Sequence, residues 1–265
     1  MNSIESILED RLLPQVHLPE KAAVLLSKGL LLRWRSTGDD EYRNRAEALA
    51  QSVFAGPSSL NSTEACMAVQ VLYCLSKEGG EPIDFDSKAC YDRIKESLTS
   101  GTDPKRPDDP LYAALPFYIG WNTRFEMRTG YRSIYLRLLQ GAQAAEQASL
   151  PVSAEFVQLL SETLENMDEQ IYYEYRDLAG KLKCLLDRFW PALRQGDVYS
   201  SALLSDAVWR LADTGLLPER FLIAADKALD HAQTYTLESN NSVDIQSCSA
   251  LYLACAQREY IRSRF

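Results

Sequence analysis

"ACMAVQVLYCL", Ala65 to Leu75, is apolar around nearly its whole circumference. A helix of that composition cannot lie at a surface without exposing a hydrophobic side, so it reads as a buried helix. "CSALYLAC", Cys248 to Cys255, reads the same way. "EYRNRAEALA", Glu41 to Ala50, carries only an apolar stripe and reads as a helix with one wet face. Helices buried all round, alternating with amphipathic ones, predict an inner ring of helices wrapped by an outer layer.

The same 3.6-residue periodicity extends along the chain. It predicts helices over 3–13, 19–35, 40–54, 62–77, 86–98 and 109–125, then 131–147, 153–167, 171–190, 201–213, 218–235 and 243–260, with no strand. The breaks carry turn chemistry, as in Thr37-Gly38-Asp39-Asp40, Gly79-Gly80-Glu81-Pro82 and Ser100-Gly101-Thr102-Asp103-Pro104. A weak repeat links three places: "RSTGDDEYRNRAEALAQ" (Arg35–Gln51), "MRTGYRSIYLRLLQGAQ" (Met127–Gln143) and "LADTGLLPERFLIAADKAL" (Leu211–Leu229). Each has Thr-Gly, then an aromatic residue and an amphipathic helix. The units start at Thr37, Thr129 and Thr214, 92 and 85 residues apart, which does not fit a solenoid of short repeats. The expected fold is all-α: an (α/α)6 toroid of about twelve helices paired as hairpins, forming a single domain over residues 1–265.

Composition agrees with this class and narrows the partners. Hydrophobic residues make up 46% of the chain and charged residues 25%, with too few glycines (12) and prolines (11) for a turn-dense β architecture. A net charge of −9 repels phosphate backbones and anionic lipid, so neither nucleic acid nor a membrane is an expected partner. The longest apolar run, Ala22 to Leu32, is broken by Ser27, Lys28 and Gly29, well short of the roughly 20 residues of a membrane span. Near the start, Glu5, Glu9 and Asp10 stand where a secretory signal would have its apolar core, so the expected location is cytoplasmic.

Six cysteines (Cys66, Cys74, Cys90, Cys184, Cys248, Cys255) and two histidines (His17, His231) form no CxxC or other close cluster. The expectation is buried free thiols, with no disulfide frame and no metal site. Phosphate loops, HExxH and GxSxG are missing, and no cofactor is expected.

The chemistry-bearing stretch is "RPDDPLYAALPFYIGWNTRFEMRTGYRSIYLRLL", Arg106 to Leu139. Asp108 reads as an N-cap, Asp109 as a first-turn acid favoured by the helix dipole, and Pro110 as an early helical residue. The alternative is a functional acid at a helix N-terminus facing a pocket. Tyr112, Phe117, Tyr118 and Trp121 form either a concave aromatic wall for a ligand or ordinary core. Pro116, inside the helix, removes one backbone hydrogen bond and predicts a kink with a freed carbonyl.

The run "DDPLYAALPFYIGWNTRFEMRTGYRSIYLRLLQ" resembles a segment of the unsaturated glucuronyl and rhamnogalacturonyl hydrolases, glycoside hydrolase families 88 and 105. In these (α/α)6 barrels an aspartate precedes an apolar helix ending in Pro-Phe, and a second hairpin starts at a Thr-Gly turn. "SALLSDAVWRLADTGLLPERFLIAADKALD" (Ser201–Asp230) resembles the family's late hairpin and "NNSVDIQSCSALYLACAQRE" (Asn240–Glu259) its closing inner helix. The resemblance implies that Asp109, in Asp109-Pro110-Leu111-Tyr112, is the catalytic general acid. It also implies the reaction: protonation of the enol-ether double bond of a Δ4,5-unsaturated uronic acid, hydration, and collapse of a hemiketal that breaks the sugar link. One acid suffices, unlike the paired carboxylates of ordinary glycosidases.

The chain departs from the family pattern in three ways, and reads as a shortened barrel. Asn61 stands where a second aspartate is usual, the Arg-Gly-Asn-Gly-Trp motif is replaced by Leu150-Pro151-Val152-Ser153-Ala154-Glu155, and a histidine-bearing loop is absent.

Other polar candidates have plain roles beside functional ones. Asn61 and Glu64 have capping-box spacing. Asp206 places a carboxylate near the start of a mostly apolar helix, either buried with a raised pKa or facing water. Asp244 and Gln246 open the last helix. In a toroid the inner-helix N-termini gather at one face, where Asn61, Asp109, Asp206 and Asp244 are expected to converge; Asp109 is the expected acid, and Asn61, Asp108, Tyr112, Trp121, Asp206 and Asp244 are the expected ligand contacts. "ENMDEQIYYEYRDLAGKL" (Glu165–Leu182) has no DDxxD metal motif, and Tyr172, Tyr173 and Tyr175 read as an outer helix face or a homodimer contact.

Three functional readings follow. The first is a hydrolase-like protein that protonates and hydrates the double bond of an unsaturated uronyl sugar or similar small molecule. The second is a repurposed barrel that hydrates or cyclises a non-sugar metabolite. The third is a non-catalytic helical scaffold.

Overall fold

The structure is a computed structural model describing residues 4–15, 17–78, 83–100, 106–167, 172–195, 197–239 and 243–264. The expected loops at Gly79–Pro82 and Gly101–Pro104, and residues 168–171 of the acidic stretch, lie outside the described residues. Among the described residues there are twelve α-helices, one short 3-10 turn at Pro57–Ser59, and no strand. The chain divides into two compact units.

The terminal unit comprises Met1–Val53 and Trp190–Phe265. It holds α1 (Ile4–Leu12), α2 (Glu20–Thr37), α3 (Asp40–Val53), α10 (Val198–Arg210), α11 (Glu219–Glu238) and α12 (Ile245–Arg262). α12 lies between α2 and α10, while α3 packs on α2 and α11 on α10. Burial follows the sequence pattern. α2 is buried without a break from Ala22 to Leu32, whereas α3 buries only Arg43, Ala46 and Ala50, one stripe at helical spacing. α2 and α12 approach closely because Gly29 has no side chain: a Cβ there would sit 2.6 Å from the Tyr252 ring.

The central unit, Phe54–Phe189, holds α4 (Thr63–Lys77), α5 (Ser87–Thr99), α6 (Pro110–Phe125), α7 (Tyr131–Ala145) and α8 (Leu150–Asn166). α6 lies between α4 and α8, with α5 and α7 also against it. Each fully buried Leu or Phe of such a helix contributes about 1.5–3 kcal/mol relative to exposure, so the apolar helices α4 and α6 anchor the unit. α9 (Tyr172–Gln195) follows.

The helices match the periodicity to within a few residues, and the differences have local causes. α8 starts at Leu150 rather than at 153 because Pro151, which lacks an N–H, is accommodated in the first turn. α9 runs through Pro191 to Gln195, its fixed φ being helical, although Asp187's carbonyl loses its intrahelical donor. α6 likewise continues through Pro116, which deprives the Tyr112 carbonyl of its helical donor.

The Thr-Gly repeat is structurally true in two of its three places. At Thr37-Gly38 and Thr214-Gly215 the glycines have φ of 72° and 68°. Each threonine hydroxyl donates to the helix behind it (Arg33 O, 2.8 Å; Leu211 O, 2.7 Å) and accepts the N–H two residues on (Asp39 and Leu216, both 3.2 Å). At Thr129-Gly130 the glycine has φ −85°, and Met127 and Arg128 take the left-handed conformation instead. There Asn122 holds the turn, its carbonyl accepting Arg128 N–H at 3.2 Å and its Oδ1 accepting Gly130 N–H at 3.0 Å.

No cysteine is disulfide-bonded; Cys66, Cys90, Cys248 and Cys255 are buried as expected, but Cys74 is half-buried and Cys184 is exposed on α9. Tyr175 turns inward while Tyr173 is 84% exposed, so the tyrosines do not share one outer face. No helix among the described residues is long and apolar enough to cross a membrane.

Candidate functional site

The start of α6 is built by its own sequence. Asp109 is the N-cap in extended backbone, and its Oδ1 accepts the Leu111 N–H at 2.9 Å, with Pro110 in the first turn. The cap is therefore the second aspartate of the doublet, one residue later than expected. Asp108 instead grips Arg106: Nε donates to Oδ1 at 3.0 Å and Nη2 to Oδ2 at 2.6 Å. Asp109 Oδ2 makes no hydrogen bond among the described residues.

The neighbouring start of α4 is shifted in the same sense. Ser62, rather than Asn61, caps it by accepting Ala65 N–H at 3.1 Å. Asn61 is thereby released from capping.

Both helix starts border one cavity of about 700 Å³ within the central unit. Leu60, Asn61 and Cys66 form one side, Arg93, Ile94 and Ser97 of α5 a second, and Arg106, Asp108–Leu111 and Ala114 a third. Three sequence-predicted residues, Asn61, Asp108 and Asp109, are thus brought together. Burial, with the charges of Asp109 and Glu64 close by, pushes the Cys66 thiol up to about 12, so it is an uncharged wall and not a nucleophile. The sequence reading passed over Arg93, Ser97 and Cys66. A usable signal was the α5 periodicity, since Arg93 and Ser97 stand four residues apart beside the apolar Ile94.

Tyr112 and Trp121 do not line this cavity. Tyr112 is buried, its hydroxyl donating to Arg137 O at 3.2 Å and its ring meeting Phe156 edge-on at 5.3 Å. Trp121 stacks on Tyr91 and tilts against Phe125. Phe117 meets Tyr73 and Tyr118 stacks on Tyr91. The expected aromatic wall is packed core, because α6 is covered by neighbours on several sides and its rings meet protein.

In the terminal unit, Asp206 is fully buried and paired with Arg210 at 3.1 Å, neither unpaired nor facing water. It lies toward the C-terminal end of α10; the helix starts at Asp197, whose carboxylate accepts from Ser200 N–H (2.8 Å) and Ser200 Oγ (2.9 Å). Asp244 caps α12 in the same manner, accepting from Ser247 N–H (2.9 Å) and Ser247 Oγ (2.6 Å). Partial burial raises the Asp244 carboxyl, but the Ser247 and backbone hydrogen bonds outweigh it and hold the group below its ordinary value.

A second cavity, of about 560 Å³, lies at the far ends of α4, α6 and α8, with Lys77, Arg124 and Glu165 among its residues. Among the described residues no group of three or more His, Cys, Asp or Glu is gathered to hold a metal.

No family model matches the chain. No curated protein matches it either. Among solved structures, it is similar to a glycoside hydrolase from family 105 of C. acetobutylicum ATCC 824, with a TM-score of 0.68 and 11% identity over 96% of this chain and 99% of that one. The fold is (α/α)6. The family resemblance drawn from the Asp108–Gln140 run therefore holds at the level of fold, through twelve helices and with little identity.

Proposed function

We propose that this protein is a hydrolase of the glycosidase kind, acting on a Δ4,5-unsaturated uronyl sugar or a similar unsaturated small molecule, with Asp109 as general acid. The observation that carries the reading is the Asp109 carboxylate, bordering a cavity of about 700 Å³ with Oδ2 free of hydrogen bonds among the described residues. The family 105 likeness supports the glycosidase class.

The chemistry needs one proton donor and one water. Asp109, protonated on Oδ2, gives its proton to C4 of the C4=C5 double bond. Water adds its oxygen to the cation at C5, and its released proton returns to Asp109. The resulting hemiketal opens to a ketone, leaving a C1 hemiacetal that releases the second sugar as an alcohol. One water is consumed and the acid is regenerated. Asn61, with its amide free of capping, supplies donors and an acceptor for sugar hydroxyls.

Asp109→Asn tests this directly, because asparagine caps a helix about as well as aspartate but carries no acidic proton. The expected result is loss of turnover of an unsaturated disaccharide by ~10²–10⁴-fold, followed by ultraviolet absorbance of the double bond, with a stability loss no larger than the about 0.3–1 kcal/mol of a charge at a helix N-terminus. Turnover that survives the substitution refutes the assignment. A second reading, hydration of a non-sugar double bond, is favoured by the apolar part of the lining (Leu60, Ile94, Leu111, Ala114). It predicts an Asp109-dependent activity on an enol ether that lacks a sugar.

A further inference from the structure

We propose that the second cavity, at the far ends of α4, α6 and α8, is a binding site for an acidic amino acid of the glutamate kind. It encloses about 560 Å³ within the central unit and is lined by Lys77, Gly120, Thr123, Arg124, Glu165 and Asn166. None of these contributes an apolar side chain, so the ligand it suits is hydrophilic. The charges divide by helix. α4 and α6 supply cations, Lys77 and Arg124, each in the last turn of its helix, while α8 supplies acceptors, Glu165 and Asn166.

A cation in a last turn complements the helix dipole, which accounts for either residue alone. It does not account for two cations at one cavity, neither of them ion-paired among the described residues. Arg124 lies over the Phe125 ring, 5.3 Å from its centroid, and against the hydroxyl of Tyr73, which burial keeps uncharged; both partners leave the positive charge in place. On α8, Asn166 donates through Nδ2 to Glu162 O at 2.8 Å, leaving Oδ1 as an acceptor with no donor among the described residues. A Cβ on residue 120 would stand 3.2 Å from that Oδ1, so Gly120 keeps the approach to it open. The wall between is fixed: the Thr123 hydroxyl lies within hydrogen-bond distance of Ile119 O (2.7 Å), Asn166 O (3.1 Å) and the Tyr131 hydroxyl. Two cations and one carboxylate are the inverse of L-glutamate at neutral pH, with its two carboxylates and one ammonium. One ligand carboxylate takes the Arg124 fork, the other takes the Lys77 ammonium, and the ligand's ammonium donates to Glu165 and Asn166 Oδ1.

Calorimetry or NMR titration of the whole protein with L-glutamate, glutarate and L-glutamine tests the site. Glutarate keeps both carboxylates but lacks the ammonium, and glutamine keeps the ammonium but lacks one carboxylate. L-Glutamate is expected to bind about 10-fold or more tightly than either, the range for hydrogen bonds to a charged group. Arg124→Gln and Lys77→Gln should each lower its affinity by about the same factor, Arg124→Lys should keep part of it, and Glu165→Gln should remove the preference over glutarate. These three side chains are exposed, so the variants should keep the wild-type melting temperature. Arg93→Gln, which removes a cation from the first cavity, should leave L-glutamate affinity unchanged. No saturable binding of L-glutamate, equal binding of glutarate, affinity that survives Arg124→Gln and Lys77→Gln together, or affinity that falls with Arg93→Gln would each overturn the proposal.

Discussion

α6 in the central unit starts as α10 and α12 do in the terminal unit, on an aspartate cap, yet its carboxylate ends in a different state from theirs. Asp197 and Asp244 belong to Asp-x-x-Ser sequences, so a serine three residues on supplies both an N–H and a hydroxyl, and each carboxylate is bound through both oxygens. Asp109 is followed by Pro110, Leu111 and Tyr112, and residue 112 sends its hydroxyl to Arg137. One backbone N–H is all that the Asp109 carboxylate receives among the described residues, and Oδ2 is left over beside a cavity. Asp86, which caps α5 with Ala89 at the third position, also accepts one N–H through Oδ1 alone, so it is the cavity beside Asp109, together with the missing serine, that separates a structural carboxylate from one with chemistry available to it.

The largest expected effect comes from replacing all three caps by asparagine. Asp109→Asn should lower turnover by ~10²–10⁴-fold, while Asp197→Asn and Asp244→Asn leave kcat/KM unchanged. Equal losses at all three would mean that the caps act only through the fold. Next in size is the buried pair of the terminal unit. Arg210→Met removes the guanidinium paired with the fully buried Asp206 carboxylate and should cost about 3–5 kcal/mol in urea unfolding, against a smaller loss for the double substitution Asp206→Leu/Arg210→Met. A single-variant loss below about 1 kcal/mol would show that Asp206 is adequately solvated without the arginine. Smaller again is Asp109→Ala, which should cost about 1 kcal/mol of stability as a lost cap, in addition to the activity.

The helices were legible because an inner helix of this fold is apolar all round, a signal that survives ±2 residues of error at each end. Caps were legible only to within one residue. Asp108-Asp109 and Asn61-Ser62 each put two cap-competent residues side by side, and the choice between them depends on where the chain enters from the preceding loop. That single step moved Asp109 into the cap and Asn61 out of it. Asp206 was harder, since helical spacing to Arg210 is visible but the true start of α10, at Val198, lies three residues earlier than the apolar pattern suggests. Tyr112 and Trp121 were ambiguous for a general reason: an aromatic residue that fills core and one that lines a pocket have the same spacing, and only the neighbours from α5, α7 and α8 distinguish them. Arg93 was passed over because the pocket is formed by three segments: the α5 periodicity sets it beside Ile94 and Ser97 but does not show what faces them.

The comparison can be sharpened by acid. In the folded chain Asp244 is held below its ordinary carboxyl value, so its ionised cap stabilises the fold at every pH above the unfolded value of about 3.9, and that contribution is lost as pH falls through the lower folded value. Asn at the same position caps α12 without titrating. The wild type should therefore be more stable than Asp244→Asn by about 0.3–1 kcal/mol at pH 7, the size of a charge at a helix N-terminus, and the difference should shrink toward zero below pH ~3.9. Ser247→Ala should reduce the difference at pH 7, because it removes the 2.6 Å hydroxyl bond that helps to lower the carboxyl. Urea titrations of the three proteins from pH 7 downward provide the measurement. A difference that stays constant with pH would mean the second oxygen contributes nothing to the charged cap, and the contrast with Asp109 would then rest on the cavity alone.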